Sequence, residues 1–511
     1  MRAARAGADA ARRALARAGA RAGPSPASPR VTSLARPMRR VDETYATWAV
    51  SAGNGDFGRL GHGPSGSGDN ALGLSSARFQ VAKLPVDAVA ASAGGAHTVL
   101  VGKDGAVYTC GLNDFGQLGH SFGAASFVAT PTKVEGLPTH DPVVAACAGH
   151  FHTLCLTLSG EVWAFGKNDV SQCGLGAANA EHPSMAPSMA PTPRWLSSLS
   201  PDAPGGDDRG PVVFVAAGAR HSIAVTANGA VYTWGADFEG CLGHGGETFR
   251  ETSARDETNT NANASHEKSF LVSAYESLAR FASRRATRGN SPRLIRSLAD
   301  TGVKATSASC GDAHSLVLDD TGTVHAFGQG RFNQLGAGAE KNVAWLETPT
   351  PISFQQGELS GSVVDCVSAG GNFNVAVTSD GRLLSWGANG NGECGGGAED
   401  DGRRDRPRWV KRPPPDPKSN RHFQFASASA GWRHAAATTR CGKLFAWGWG
   451  GSAGQHWEDE FTTGGQLGLG DGQVDFWEPT RVPSIGSVGK PRAISVSCGF
   501  NHTVVLVSDD G

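Results

Sequence analysis

The sequence predicts an all-β fold, a seven-bladed β-propeller whose ring is closed by strands from the two ends of the chain sharing one blade. Three observations predict it. A hairpin-sized segment returns six times, a second glycine signature follows each return, and two half-copies near the ends complete one another.

The hairpin comes first. The stretch from Ala93 through His97 and Gly105 to Gly111 aligns without a gap with the stretch from Ala217 through His221 and Gly229 to Gly235. The same frame returns at 149–166, 311–328, 370–387 and 431–448. In each copy apolar residues flank a turn that ends in glycine: Gly105, Gly160, Gly229, Gly322, Gly381 or Gly442. The preceding residue is mostly small and polar, as at Asp104, Asn228 and Asp380, which suits the positive φ of a tight hairpin. The second strand ends in a large ring and a glycine, as at Trp234-Gly235, Phe327-Gly328, Trp386-Gly387 and Trp447-Gly448. A ring there can fill the gap between neighbouring sheets, while the glycine lets the chain turn where a Cβ would collide.

The second signature follows, as Gly116-Gln117-Leu118-Gly119, Gln172-Cys173-Gly174, Gly240-Cys241-Leu242-Gly243, Gln334-Leu335-Gly336, Gly392-Glu393-Cys394-Gly395 and Gly465-Gln466-Leu467-Gly468. Short proline-led stretches at Pro131, Pro292 and Pro479 come after it. Proline cannot donate to a sheet ladder, so these are expected to be outer edge strands of four-stranded units. Near the N-terminus, 48–62 matches only the second half of a repeat, and 498–511 supplies only the first half. Six whole blades and one shared blade make seven, and closure removes exposed sheet edges.

Composition agrees. Of 511 residues 70 are glycine and 27 proline, which fits a turn-rich fold and neither a collagen nor a disordered chain. No run of 18 or more apolar residues occurs, so a transmembrane helix is not expected. The ten cysteines are scattered with no close C-x-x-C pair and read as reduced core thiols.

Charge is uneven. Residues 1–40 hold ten Arg and one acid, Asp9, so the remainder of the chain carries about −10 of a formal net −1. An acidic body argues against nucleic acid as a broad-surface ligand, because phosphate neutralisation needs clustered Lys and Arg. Residues 1–43 are read as a targeting peptide or disordered arm, with Arg interleaved among Ala and Leu before Gly23-Pro24-Ser25-Pro26. The expectation is mitochondrial import, since Arg outweighs Ser and Thr; a plastid address and a basic tail serving the nucleus are the alternatives. The propeller is assigned to 44–511, with insertions at about 177–210, 244–291, 396–424 and 450–464.

The frame of Gly-x-x-His-[Ser/Thr], glycine-turn hairpin, Trp-Gly and Gly-Gln-Leu-Gly resembles the RCC1-like (regulator of chromosome condensation) repeat, from about Trp48 to Gly511. The chain departs from that pattern at Phe373, which stands where the other copies have histidine. The resemblance implies a protein-interaction platform and, from the best-known member, guanine-nucleotide exchange on a small or organellar GTPase. Exchange of that kind needs no catalytic triad, only tighter binding of the nucleotide-free GTPase. A non-catalytic scaffold in organellar RNA processing or ribosome assembly is the alternative. A third reading is the ultraviolet-B photoreceptor branch, which resembles this fold and uses clustered Trp in repeated Gly-Trp-Arg-His segments. This chain has one such segment, Gly431-Trp432-Arg433-His434, so the cluster is expected to be missing.

The repeat histidines His97, His152, His221, His314, His434 and His502 are expected to be structural, since one per blade sets them too far apart to share an ion. Metal-ligand spacings and a P-loop are absent, and the sequence points to no enzymatic centre and no cofactor. Recognition surfaces remain: Trp432 with Arg433, and the insertion between Gly243 and Pro292. In the latter, Phe270, Leu271, Tyr275, Leu278 and Phe281 recur at helical spacing opposite charged residues, an apolar stripe that must pack on the propeller or on a protein partner.

Overall fold

The computed structural model describes residues 46–64, 75–121, 126–175, 188–203, 209–245, 287–338, 343–352, 359, 361–400, 402–451, 464–470, 474–485 and 491–509. They form seven four-stranded antiparallel sheets. Numbering the shared blade 1, blade 2 runs from axis to rim through Ala88–Ala93, His97–Gly102, Val107–Leu112 and Phe127–Lys133. Blades 3 to 7 follow, with second strands beginning at His152, His221, His314, Phe373 and His434.

Blade 1 is composite. Its inner strands are Pro491–Cys498 and His502–Asp509, and its outer strands are Thr47–Gly53 and Ser76–Val81. The seam runs in unbroken register from Thr47 opposite Ser508 to Gly53 opposite His502. Both seam strands are buried for most of their length, so the two ends of the repeat region are joined by a core blade and not by an edge.

Second strands are buried at every position in blades 2 to 7. Each is covered by a neighbouring blade on both faces, so an apolar residue is needed on both. Small side chains permit the approach of one sheet to the next, as in Ala435, Ala436 and Ala437, all fully buried. Around the axis the blades are tied by backbone hydrogen bonds, from Gly95 N to Gly149 O, His150 N to Gly218 O, Gly371 N to Gly431 O, Trp432 N to Gly499 O and Phe500 N to Gly94 O. Between blades 5 and 6 the tie slips by one residue, Asp312 N reaching Gly371 O at 3.4 Å.

The prolines sit on outer strands, inside bulges. In blade 2, Thr109 pairs with Thr132 but Gly111 with Val128, and Pro131 lies in the slip between them. Pro292 and Pro479 occupy the same kind of slip. A residue without an N–H is tolerated where the ladder is already interrupted. The outer strands Met189–Trp195 and Arg404–Trp409 fall inside 177–210 and 396–424, and Thr287–Leu294 begins inside 244–291. Three of the four stretches assigned as insertions therefore also contribute to their blades' fourth strands. Residues 1–45 and 452–463 lie outside the described residues.

At the hairpin turns the positive φ falls on the glycine alone, 75° at Gly105 and 82° at Gly229, and not on the polar residue before it. Asp104 instead holds the turn through its side chain, accepting from Ala106 N at 3.1 Å. All ten cysteines are free thiols; Cys441, in the blade 7 hairpin turn, is the one that is exposed.

Candidate contact face

The repeat histidines join neighbouring blades. His97 Nε2 lies 3.0 Å from Thr153 Oγ1 in the next blade, and His152, His221, His434 and His502 meet Ser222, Ser315, Thr503 and Thr98 at 2.9 Å. Each hydroxyl donates onward to a main-chain carbonyl, Thr153 to Gln117 O and Ser222 to Gln172 O. The hydroxyl's proton is thus committed, so the imidazole must donate from Nε2 and Nδ1 carries no proton. At His314 the acceptor is Asn374 Oδ1, 2.7 Å away, whose amide donates to Gln334 O. Burial pushes His97, His152, His221 and His434 down to about 3. The histidines are thus structural, as expected, and the bond of each goes to a side-chain oxygen of the next blade that relays to the backbone.

The glycine signatures shape the loops over one face. Gln117 Oε1 accepts from Phe115 N and Asn113 Oδ1 from Leu118 N, clamping the turn. Trp234 Nε1 reaches Gln172 O of the preceding blade at 2.9 Å, and Trp386 and Trp447 reach Gln334 O and Glu393 O likewise. These loops, with those that precede the repeat histidines, make up the contact face. Arg59, in the glutamine position of blade 1, is fully buried and pushed down to about 10 by burial.

Residues just after each blade's loop glycine surround the mouth of the axial channel. His150 Nε2 lies 3.1 Å from Asp312 Oδ1 across it, and Trp432 and Phe500 stack with ring centres 4.0 Å apart. Trp449 meets Trp432 edge-on at 5.8 Å, and the Arg433 guanidinium lies 4.4 Å from the Trp432 ring centre. Trp432 also borders a groove of about 560 Å³ between blades 6 and 7. Phe332, Asn372, Asn389, Asn391, Glu393, Arg403 and Arg433 line it. Burial raises the Glu393 carboxyl above the usual carboxylate range, while the backbone N–H of Asn391 and the Arg433 charge pull the other way.

Trp432 and Arg433, neighbours in the sequence and singled out there, both border this groove. Phe270, Leu271, Tyr275, Leu278 and Phe281 lie outside the described residues. Sequence reading missed His150, Asp312, Phe500 and Asn372. They occupy the one or two positions between loop glycine and histidine, so comparing those positions across repeats would have exposed them as the variable set on a fixed frame. Two stretches have G-x-S-x-G spacing, 119–123 and 450–454, and residues 122–123 and 452–454 of them lie outside the described residues. Among the described residues no group of three or more His, Cys, Asp or Glu is placed to hold a metal ion.

A closed ring of seven four-stranded blades, with polar and aromatic residues that differ from repeat to repeat gathered on one loop face, defines a repeat-built β-propeller. The RCC1-like domain matches residues 49–505, and the chain belongs to that family. It is 30% identical to the ultraviolet-B receptor UVR8 of Arabidopsis thaliana over 82% of this chain and 74% of that protein. It is 28% identical to the regulator of chromosome condensation of Homo sapiens, over 92% of this chain and 93% of that one. Among solved structures, Prp20p of Saccharomyces cerevisiae superposes with a TM-score of 0.66 at 20% identity, covering 91% of this chain and 92% of that one. Human WBSCR16 gives 0.65 at 22%, covering 91% and 99%. At those identities the structural likeness speaks to the fold.

Proposed function

We propose that the chain is a protein-recognition platform whose working surface is the contact face around Trp432 and Arg433, and that it serves as an exchange factor for a small or organellar GTPase. The observation that carries this is the groove between blades 6 and 7, an aromatic and arginine-lined recess on a rigid, closed scaffold. Relatives named regulator of chromosome condensation, and the reported binding of Prp20p to Gsp1p and histones, support it by kinship. Release of a fluorescent GDP analogue from a panel of purified small and organellar GTPases tests it. The expected result is acceleration by the full chain that falls about tenfold or more in Trp432→Ala. Binding to a nucleotide-free GTPase without acceleration would remove exchange and keep the platform; no complex with any member would remove the GTPase altogether.

Import into mitochondria is part of this proposal, supported by the arginine-rich, acid-poor composition of residues 1–40. Fusing residues 1–45 to a fluorescent protein checks it. Nuclear or diffuse fluorescence would overturn it. The stripe of Leu278 and Phe281 is proposed as a second partner contact. Replacing both with Ser is expected to lose the partner at unchanged melting temperature, whereas a large melting loss with binding intact would make the stripe structural.

A further inference from the structure

The groove has a chemical character of its own. Two guanidinium groups border it, each laid on a ring: Arg403 has its Cζ 4.9 Å from the Phe332 centroid, and Arg433 lies 4.4 Å from that of Trp432. Stacking on a ring holds a guanidinium in place at the edge of the groove. Arg403 is exposed and spends one donor on the Arg331 carbonyl at 3.2 Å. Asn372, Asn389 and Asn391 also line the groove; the Asn389 and Asn391 side chains are buried, their amides donating to the Asp400 carbonyl and to Asp475 Oδ2. The acid lining the groove, Glu393, is only 4% exposed and is committed to the backbone N–H of Asn391 at 2.8 Å. The accessible wall thus offers positive charge and two aromatic rings.

A carboxylate is the group such a wall recognises, since planar guanidinium groups match it in shape as well as charge. The scale of the field chooses among carriers of negative charge. Beyond residue 40 the chain is acidic by about ten charges, which repels a long polyanion such as nucleic acid, while two arginines in a recess of about 560 Å³ suit a few carboxylates on a short segment. Ring walls on either side favour an extended peptide over a free ion. We propose that the groove between blades 6 and 7 binds an acidic peptide segment of a protein partner. This rests on the platform reading above and names the chemistry of the partner at that site.

Three short fluorescent peptides of equal length, alternating Glu with Gly, Lys with Gly and Ser with Gly, test the assignment by anisotropy with the full chain at low salt. The Glu peptide is expected to bind at least about tenfold tighter than the other two, and to weaken as salt rises. Arg403→Gln and Arg433→Gln are each expected to weaken it about tenfold at unchanged melting temperature, while Arg440→Gln, in the hairpin turn at the far end of blade 7, leaves it unchanged. Equal binding of the three peptides, or undiminished binding by both groove variants, overturns the proposal. The two readings fail separately: a GTPase partner lost in Trp432→Ala but retained by both arginine variants keeps the platform and overturns the acidic-peptide assignment.

Discussion

At the scale of single residues, the inter-blade histidine shows how one position can be fixed by its neighbours in space. Each imidazole is neutral because its Nε2 donates to an occupied hydroxyl or amide oxygen and its Nδ1 faces a glycine; a Cβ added at Gly94 would lie 2.9 Å from His97 Nδ1. The unfolded chain binds a proton there below about pH 6.5. At His97, His152, His221 and His434 the folded chain resists protonation until about pH 3. Stability is therefore level above pH 6.5 and falls as pH drops through that window, by about 1 kcal/mol per pH unit for each histidine. Thermal melts from neutral pH to pH 4 check this, and a constant melting temperature would contradict it. The break in the pattern explains itself once the blades are placed. Phe373 occupies the histidine position of blade 6, and the position it faces in blade 7, which is Ser, Thr or Asn in every other blade, is Ala435. Phe373→His should destabilise by about 1 to 3 kcal/mol, since its N–H would meet a methyl group in a buried site. Adding Ala435→Ser should recover most of that loss, and a double-mutant cycle by denaturant unfolding measures the coupling.

At the scale of elements, hairpins and edge strands were legible because they rest on local constraints: glycine at a positive-φ turn and proline where no donor is needed. The role of the Trp-Gly ring was half legible. Its size and place announced a buried wedge, but the polar end of the indole was decided by the next blade. Trp447 Nε1 donates to Glu393 O of the preceding blade, and the ring is fully buried. Trp447→Phe should cost about 1 kcal/mol or somewhat more through the orphaned carbonyl, and Trp447→Ala about 3 to 5 kcal/mol through the added cavity. Equal losses in the two variants, read from chemical denaturation, would show that the hydrogen bond contributes nothing. The outer-strand bulges were not legible, because a bulge is a difference between two strands and only the proline on one of them is written in sequence.

At the scale of the whole molecule, the ring is held by its seam. Deleting 500–511 removes the strand His502–Asp509, which pairs with Thr47–Gly53 on one side and Pro491–Cys498 on the other, and takes His502 from its bond to Thr98. The expected result is a loss of several kcal/mol in unfolding or outright aggregation, with deletion of 1–40 leaving the melt unchanged. An unaltered melt after the C-terminal deletion would contradict a closed ring. Light is expected to do nothing to assembly: among the described residues Trp432 meets one tryptophan edge-on, Trp449, and stacks on Phe500. Size-exclusion chromatography before and after ultraviolet illumination checks it, a shift from dimer to monomer being the contrary result. By itself the sequence determined the blade count, the seam and the structural standing of the histidines, because repetition writes each of these several times over in local patterns of glycine, ring and alternation. Tertiary structure alone decided that Phe373 answers Ala435, that His150 pairs with Asp312, and that Phe332, Asn372, Arg403 and Arg433 share one groove. Those relations join residues from different blades, and which side chains meet depends on the rotation from blade to blade, a quantity that no single repeat contains.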